Sequence, residues 1–210
     1  MRIENNYSVK AHNTFGINQI TKRFIEYSSA DELKELIKSG KLEQPFFHIG
    51  AGSNLLFVDD YEGTLLHSAI CYIHPVKETK DEVWVSVGAG TCWDDFVAHC
   101  VEKEWYGVEN LSLIPGEVGS AAVQNIGAYG VEVKDLLVSL KAINLLTGEE
   151  REFSNAECQY DYRYSCFKQP EMKVWAVVEV TFKLSKQPTF NLTYKGLLSE
   201  LGEQPYSLET

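Results

Sequence analysis

The sequence predicts an α+β fold in two subdomains: a small α/β unit over residues 1–70 and a larger antiparallel sheet with helices over residues 71–205. Three observations predict it. Apolar runs of strand length alternate with amphipathic stretches of helix length. After residue 70 the strand patterns dominate, with Val83, Val85 and Val87 alternating with Trp84 and Ser86. Two glycine-rich stretches, Gly50–Asn54 and Gly107–Gly130, interrupt the pattern instead of extending it. A chain of 210 residues can form one large domain or two small ones, with a real core.

Taken in order, the polar first residues read as a loose start ending in a turn, Asn13-Thr14-Phe15-Gly16. Phe24–Tyr27 reads as a strand. Ser29-x-x-Glu32 is a capping box, Leu33, Leu36 and Ile37 share one helical face, and Gly40 closes that helix. Pro45–Ile49 reads as a buried strand, the loop Gly50-Ala51-Gly52-Ser53-Asn54 follows, and Leu55–Val58 reads as another strand. Asp59–Gly63 is a turn and Thr64–Ile70 a strand. Thr91 is placed to cap a helix with Asp94 at its third position, and Trp93, Phe96, Val97, Cys100 and Val101 form one core-facing stripe. Leu136–Leu145, a Thr147-Gly148 turn and Arg151–Phe153 make a hairpin. Ser154-x-x-Glu157 is a second capping box that opens a short helix, and Val174–Leu184 is a strand.

Composition narrows the partners. The net charge is −11, from 19 Lys plus Arg against 30 Asp plus Glu, which argues against nucleic acid or an anionic membrane as partner. The five cysteines (71, 92, 100, 158, 166) are odd in number, lack C-x-x-C spacing and read as reduced core thiols. No histidine pair has metal-ligand spacing, so no metal site is expected. The start has no apolar h-region and no run reaches membrane-span length, so a cytoplasmic location is expected.

Chemistry concentrates in three places. The Gly50–Asn54 loop lies between apolar runs and suits a phosphate cradle. It is not a dinucleotide-binding fingerprint, because Leu55 stands where the third glycine belongs. The stretch Gly107–Gly130 holds five glycines and no Lys or Arg. Pro115 suits the entry to a helix or turn, and exposed N–H groups near Gly116, Gly119, Ser120, Ala121 and Ala122 would hold a phosphate without a cation. Glu109 and Glu117 are its charged residues and read as solvated or helix-terminal carboxylates. The third place is Tyr160-Asp161-Tyr162-Arg163-Tyr164-Ser165-Cys166-Phe167-Lys168, where tyrosines alternate around one arginine. It reads either as a surface guanidinium stacked on aromatics or as an arginine held by aromatic walls and aimed at an anion.

Ile114-Pro115-Gly116-x-x-Gly119 followed by Gln124-Asn125-Ile126-Gly127-Ala128-Tyr129-Gly130 resembles the flavin-binding core of the UDP-N-acetylenolpyruvoylglucosamine reductase family. Asn13–Gly16, Gly50–Asn54, the Tyr162-Arg163-x-Ser165-x-Phe167-Lys168 segment and Leu192–Leu197 extend the likeness from about Asn13 to about Gly202. The resemblance implies an FAD-binding fold of the vanillyl-alcohol-oxidase (PCMH) type. FAD would lie between the subdomains against Gly50, Ala51, Gly52, Ser53, Asn54 and Leu55, and against Ile114, Pro115, Gly116, Gly119, Ser120, Ala121, Gln124, Asn125, Ile126, Gly127 and Ala128. Arg163 maps onto the family's catalytic arginine, and Tyr129, Tyr162 and Tyr194 fall on the substrate side.

The implied reaction is NADPH-dependent reduction of UDP-N-acetylglucosamine-enolpyruvate to UDP-N-acetylmuramate for peptidoglycan synthesis. The family continues into a third, substrate-binding domain that carries a serine proton donor and a late glutamate. Neither motif occurs here, so the sequence reads as the flavin-binding portion, inactive by itself, and monomeric or weakly self-associating. Ser165 or Tyr129 as a substitute proton donor, a related flavin oxidase, and a non-catalytic flavin-binding module are the alternatives.

Overall fold

The computed structural model describes residues 1–196 and Glu200. Leu197, and the helix start expected at Ser207–Thr210, lie outside the described residues.

The first sheet uses strands β1 (Arg2–Ser8) and β2 (Ile20–Tyr27), helix α1 (Ala30–Lys38) packed beside them, and strands β3 (Phe46–Ile49) and β4 (Tyr61–Ser68). Its order is β1-β2-β4-β3, with β1 antiparallel to β2 and both β2 and β3 parallel to β4. The expected loose start is instead β1. Its polar residues stay outside while Tyr7 stacks on Phe24 at 4.3 Å, and the terminal ammonium pairs with Glu32 at 2.7 Å. Ser29 Oγ accepts from the Glu32 N–H as a cap should, but the Glu32 carboxylate turns to the N–H and hydroxyl of Ser28. Leu55–Val58 forms no strand: the sheet ends at β3, and Leu56 and Val58 are exposed.

The second sheet begins with β5 (Ile73–Glu78) and β6 (Glu82–Gly88). Helices α2 (Trp93–Glu102) and α3 (Val118–Gln124) follow, then a two-residue pair β7 (Gly127–Ala128) and β8 (Val131–Glu132). Strands β9 (Leu137–Asn144), β10 (Glu150–Ser154) and β11 (Trp175–Ser185) complete it. The order β10-β9-β11-β6-β5 is antiparallel throughout. Val83, Val85 and Val87 are fully buried, and the α2 stripe meets β11 through Phe96 and Phe182, 4.9 Å apart. A separate cluster joins the two sheets: Ile25, Tyr27, Leu33 and Leu66 pack with Ile143, Leu145, Ala176 and Val178. Each such buried Val, Leu or Ile side chain contributes about 1.5–3 kcal/mol, enough to hold the two sheets together.

Two capping expectations change. Cys92, not Thr91, precedes α2, because the Thr91 hydroxyl is bonded to the backbone of Tyr72. Ser154 and Glu157 do exchange hydrogen bonds, but around a turn that ends β10 rather than a helix. Of the cysteines, 100, 158 and 166 are buried as expected, while Cys71 and Cys92 are exposed.

Candidate functional site

The two glycine stretches meet. Ser53 Oγ donates to the Pro115 carbonyl at 3.1 Å. A Cβ on Gly50 would stand 3.0 Å from Ser120 Oγ and 3.2 Å from Glu117 Oε2. Gly116 has φ +136°, and a Cβ there would reach both Ser53 Oγ and Ser120 Oγ at 3.4 Å. Gly52 has φ +74°, and its Cβ would fall 1.8 Å from the His12 carbonyl oxygen. Glycine at 50 and 52 is therefore a packing requirement.

The first loop carries a run of free donors. Among the described residues, the N–H groups of Ala51, Gly52, Ser53 and Asn54 have no acceptor, and Leu55 N–H closes the turn onto the Gly52 carbonyl. Successive unpaired N–H groups in a glycine turn form an anion-binding concavity. The second stretch is different from the sequence expectation. Val118 N–H donates to Thr91 O at 2.9 Å, Gly119 N–H to Ala89 O at 2.8 Å and Ala121 N–H to Glu117 O at 2.8 Å, while Glu117 N–H meets Ser120 Oγ at 3.2 Å. Gly119, Ala121 and Ala122 are buried against the second sheet. Of the donors expected here, the N–H groups of Gly119 and Ala121 are thus committed to the protein, while that of Gly116 has no acceptor among the described residues. Ile114 is half-buried in the same core, and Pro115 is exposed beside Ser53.

Asn125 ends α3 with φ +47° and is buried. Its Nδ2 donates to Glu132 Oε2 at 2.5 Å and to the Asp161 carbonyl at 2.9 Å, and its Oδ1 accepts from Lys134 N–H at 3.0 Å. The side chain is fully spent on the protein, so Asn125 acts at the site by organising backbone. Gln124, Ile126 and Ala128 are half-buried and Gly127 is exposed. The β7–β8 hairpin turns through Tyr129 (φ +46°) and Gly130 (φ +82°). Positive φ at both central positions is the hairpin turn that asparagine and glycine favour, so Tyr129 is held there under strain. Its ring meets that of Tyr194 edge-on at 5.4 Å, both about half exposed. Asn110 Nδ2 ties the two segments by donating to the carbonyls of Tyr129 and Asn191.

Arg163 stands on a tight turn from Asp161 to Tyr164, with φ +49°. It is exposed, its Cζ lies 5.8 Å from the Tyr162 ring, and Lys168 Nζ donates to its carbonyl. Aromatic walls on both sides do not form: Tyr160 turns inward and Tyr164 bonds Gln169. The turn itself is firmly placed, by Asn125 on one side and by Ser165, whose buried hydroxyl donates to Val123 O at 2.7 Å. A Ser165 hydroxyl so buried and committed cannot serve as a proton donor to substrate.

Sequence reasoning missed one feature. His67 lies between two carboxylates, with Nδ1 2.9 Å from Glu26 and Nε2 2.8 Å from Glu117. Glu117 is thus no solvated loop residue. The contact joins positions 50 residues apart, and no local pattern announces it. Among the described residues no group of His, Cys, Asp and Glu is arranged to hold a metal ion, and no helix is long and apolar enough to cross a membrane. A cavity of about 580 Å³ beside Tyr106, Gly107, Leu136 and Gln187 is lined by none of residues 50–55 or 114–128.

Known proteins are similar to this chain in sequence and fold. Residues 21–154 match the family model described as FAD binding domain. The chain is 55% identical over 203 residues to a UDP-N-acetylenolpyruvoylglucosamine reductase of Bacteroides fragilis (strain YCH46), covering 97% of the chain and 61% of that protein. It is 45% identical over 205 residues to the protein of the same name from Porphyromonas gingivalis (strain ATCC 33277), with the same coverage. The chain therefore spans about three fifths of the length of these relatives. A solved UDP-N-acetylenolpyruvylglucosamine reductase from Thermus caldophilus superposes with a TM-score of 0.73 at 27% identity, over 90% of this chain and 64% of that one. An alkyldihydroxyacetonephosphate synthase superposes at 0.58 with 13% identity, over 80% and 32%, a likeness of fold. The architecture is the α+β fold of the vanillyl-alcohol-oxidase type, and the chain belongs to the FAD-binding domain family.

Proposed function

We propose that this chain holds FAD between its two glycine stretches and forms the flavin-binding part of an NADPH-dependent UDP-N-acetylenolpyruvoylglucosamine reductase. The observation that carries the reading is the Gly50–Asn54 loop, where the N–H groups of Ala51, Gly52, Ser53 and Asn54 have no acceptor among the described residues and whose position is fixed against Pro115 and Ser120. These residues fit a pyrophosphate: four successive N–H groups in a glycine turn lack an acceptor among the described residues.

Within this reading the subdomains divide near residue 70, supported by the change of sheet between β4 and β5. Leu55, Ile114, Pro115, Gly116, Ser120, Gln124, Ile126, Gly127 and Ala128 line the flavin. Bound FAD supplies the hydride chemistry, with NADPH as its reductant. The chain's own residues handle the substrate. Arg163 holds the enolpyruvyl carboxylate and stabilises the negative charge that grows there, more in the transition state than in the ground state. A guanidinium suits this work because it stays charged and presents a rigid fork. Tyr129, Tyr162 and Tyr194 bound the UDP-sugar, and the edge-on pair of Tyr129 and Tyr194 supports that grouping. The product is UDP-N-acetylmuramate, made in the cytoplasm for peptidoglycan.

Calorimetric titration of the purified chain with FAD and with riboflavin tests the cradle. FAD should bind at one per chain, with riboflavin, which lacks the pyrophosphate, at least about a hundredfold weaker. Equal affinity for both would remove the role of Gly50–Asn54.

A further inference from the structure

His67 on β4 is gripped at both ring nitrogens, by Glu26 of β2 and by Glu117, the residue that precedes α3. The side chains of His67, Glu26 and Glu117 are 11%, 25% and 13% exposed. Only an imidazolium donates from both nitrogens; a neutral ring turns a lone pair toward one carboxylate. The second oxygen of Glu117, Oε2, stands 3.2 Å from the Cβ position of Gly50, at the entrance to the cradle. The bridge thus ties the first sheet to the wall formed by the second glycine stretch, and it sets the charge beside the loop.

We propose that protonated His67 is a positioning residue for the phosphate cradle: it anchors Glu117 against the Gly50 loop and cancels one of the two carboxylate charges there. The proposal rests on the reading of Gly50–Asn54 as the FAD pyrophosphate site and adds a residue that governs its affinity.

The surroundings favour the charged ring. Burial pushes the His67 proton off, but hydrogen bonding and charge from Glu117, then from Glu26, outweigh it and raise its pKa above the ordinary value. His12, edge-on at 4.9 Å, is lowered, chiefly by burial and then by His67 itself; its Nε2 faces Tyr7 Oη at 3.2 Å. Arg2 reaches the other oxygen of Glu26 at 3.8 Å. His48 on β3 is held low by burial and by the His67 charge. Cys71 is raised by burial and by Glu117 and Glu26, and Tyr27 feels Glu117. Below the folded pKa of His67 the Glu26–His67–Glu117 group carries one net negative charge, and above it two. A pyrophosphate is therefore held better at low pH, and the affinity falls as pH rises through that pKa.

The test is the FAD dissociation constant of the whole chain across about pH 6 to 9, for the wild type and for His67→Gln. The wild type should weaken by about 3- to 10-fold with rising pH, while His67→Gln stays flat within about twofold. By linkage, FAD must then raise the pKa of His67, read from its imidazole NMR signals with and without FAD. That second measurement needs no variant and decides the matter if His67→Gln does not fold. Wild-type binding that is independent of pH, or a His67 pKa unmoved by FAD, overturns the proposal while leaving the FAD site intact. No FAD binding at any pH overturns the site and the proposal together.

Discussion

Ser53 and Pro115, 62 residues apart in sequence, are joined by one hydrogen bond of 3.1 Å from hydroxyl to carbonyl. This contact aligns the Gly50–Asn54 loop, which carries four free donors, with the second glycine stretch, where Val118, Gly119 and Ala121 are paired. A net hydrogen bond of this kind is worth about 0.5–1.5 kcal/mol. Ser53→Ala should therefore leave global stability nearly unchanged and weaken FAD binding about 3- to 10-fold; chemical denaturation beside an FAD titration separates the two effects.

Gly52 and Gly40 both have positive φ, but their surroundings differ. A Cβ at Gly52 meets the His12 carbonyl at 1.8 Å, whereas one at Gly40 meets nothing within 4 Å. Gly40→Ala should cost about 1 kcal/mol, from the left-handed backbone alone. Gly52→Ala must also move the backbone of residues 12 and 13, and should cost more than about 2 kcal/mol. Urea midpoints of the two variants check the order.

Leu113 is 83% exposed with φ +61°, while its N–H donates to Asp94 Oδ1 at 2.6 Å. The side chain buries almost nothing and the backbone is strained. Leu113→Gly should stabilise the chain by about 0.5–1 kcal/mol, visible as a raised Tm.

His48 titrates in the opposite sense to His67. Its Nε2 meets Tyr27 Oη at 2.7 Å, and burial lowers its pKa to about 4. Between about 6.5 and 4 the unfolded chain binds a proton that the folded chain refuses, so its contribution is complete above the unfolded value and is lost as pH falls through this window. His48→Gln should flatten the acid side of the stability profile by up to about 2 kcal/mol, measured by urea denaturation at several pH values.

Much of this was legible in the sequence for a physical reason. The β6 valines and the α2 stripe repeat at the periods that burial imposes, and both glycine stretches fell where backbone has to come close to backbone. What was not legible depends on partners distant in sequence. Polar β1 is a strand only because β2 offers it a ladder and Phe24 a ring for Tyr7. Leu55–Val58 has strand composition but no neighbour to pair with. The N–H groups of Val118 and Gly119 looked free until Thr91 and Ala89 came round from the preceding loop to accept them. Glu117 read as a solvated or helix-terminal carboxylate; it does stand at the start of α3, but its pairing with His67 became visible only when β4 came against it.

The visible absorption spectrum of the folded, purified chain, after FAD is added and the sample desalted, reads out whether these residues hold the cofactor. The wild type should retain a flavin band at about one FAD per chain, and Ser53→Ala a weaker one. A folded wild-type chain that emerges colourless would contradict the assignment of the cofactor site to these residues.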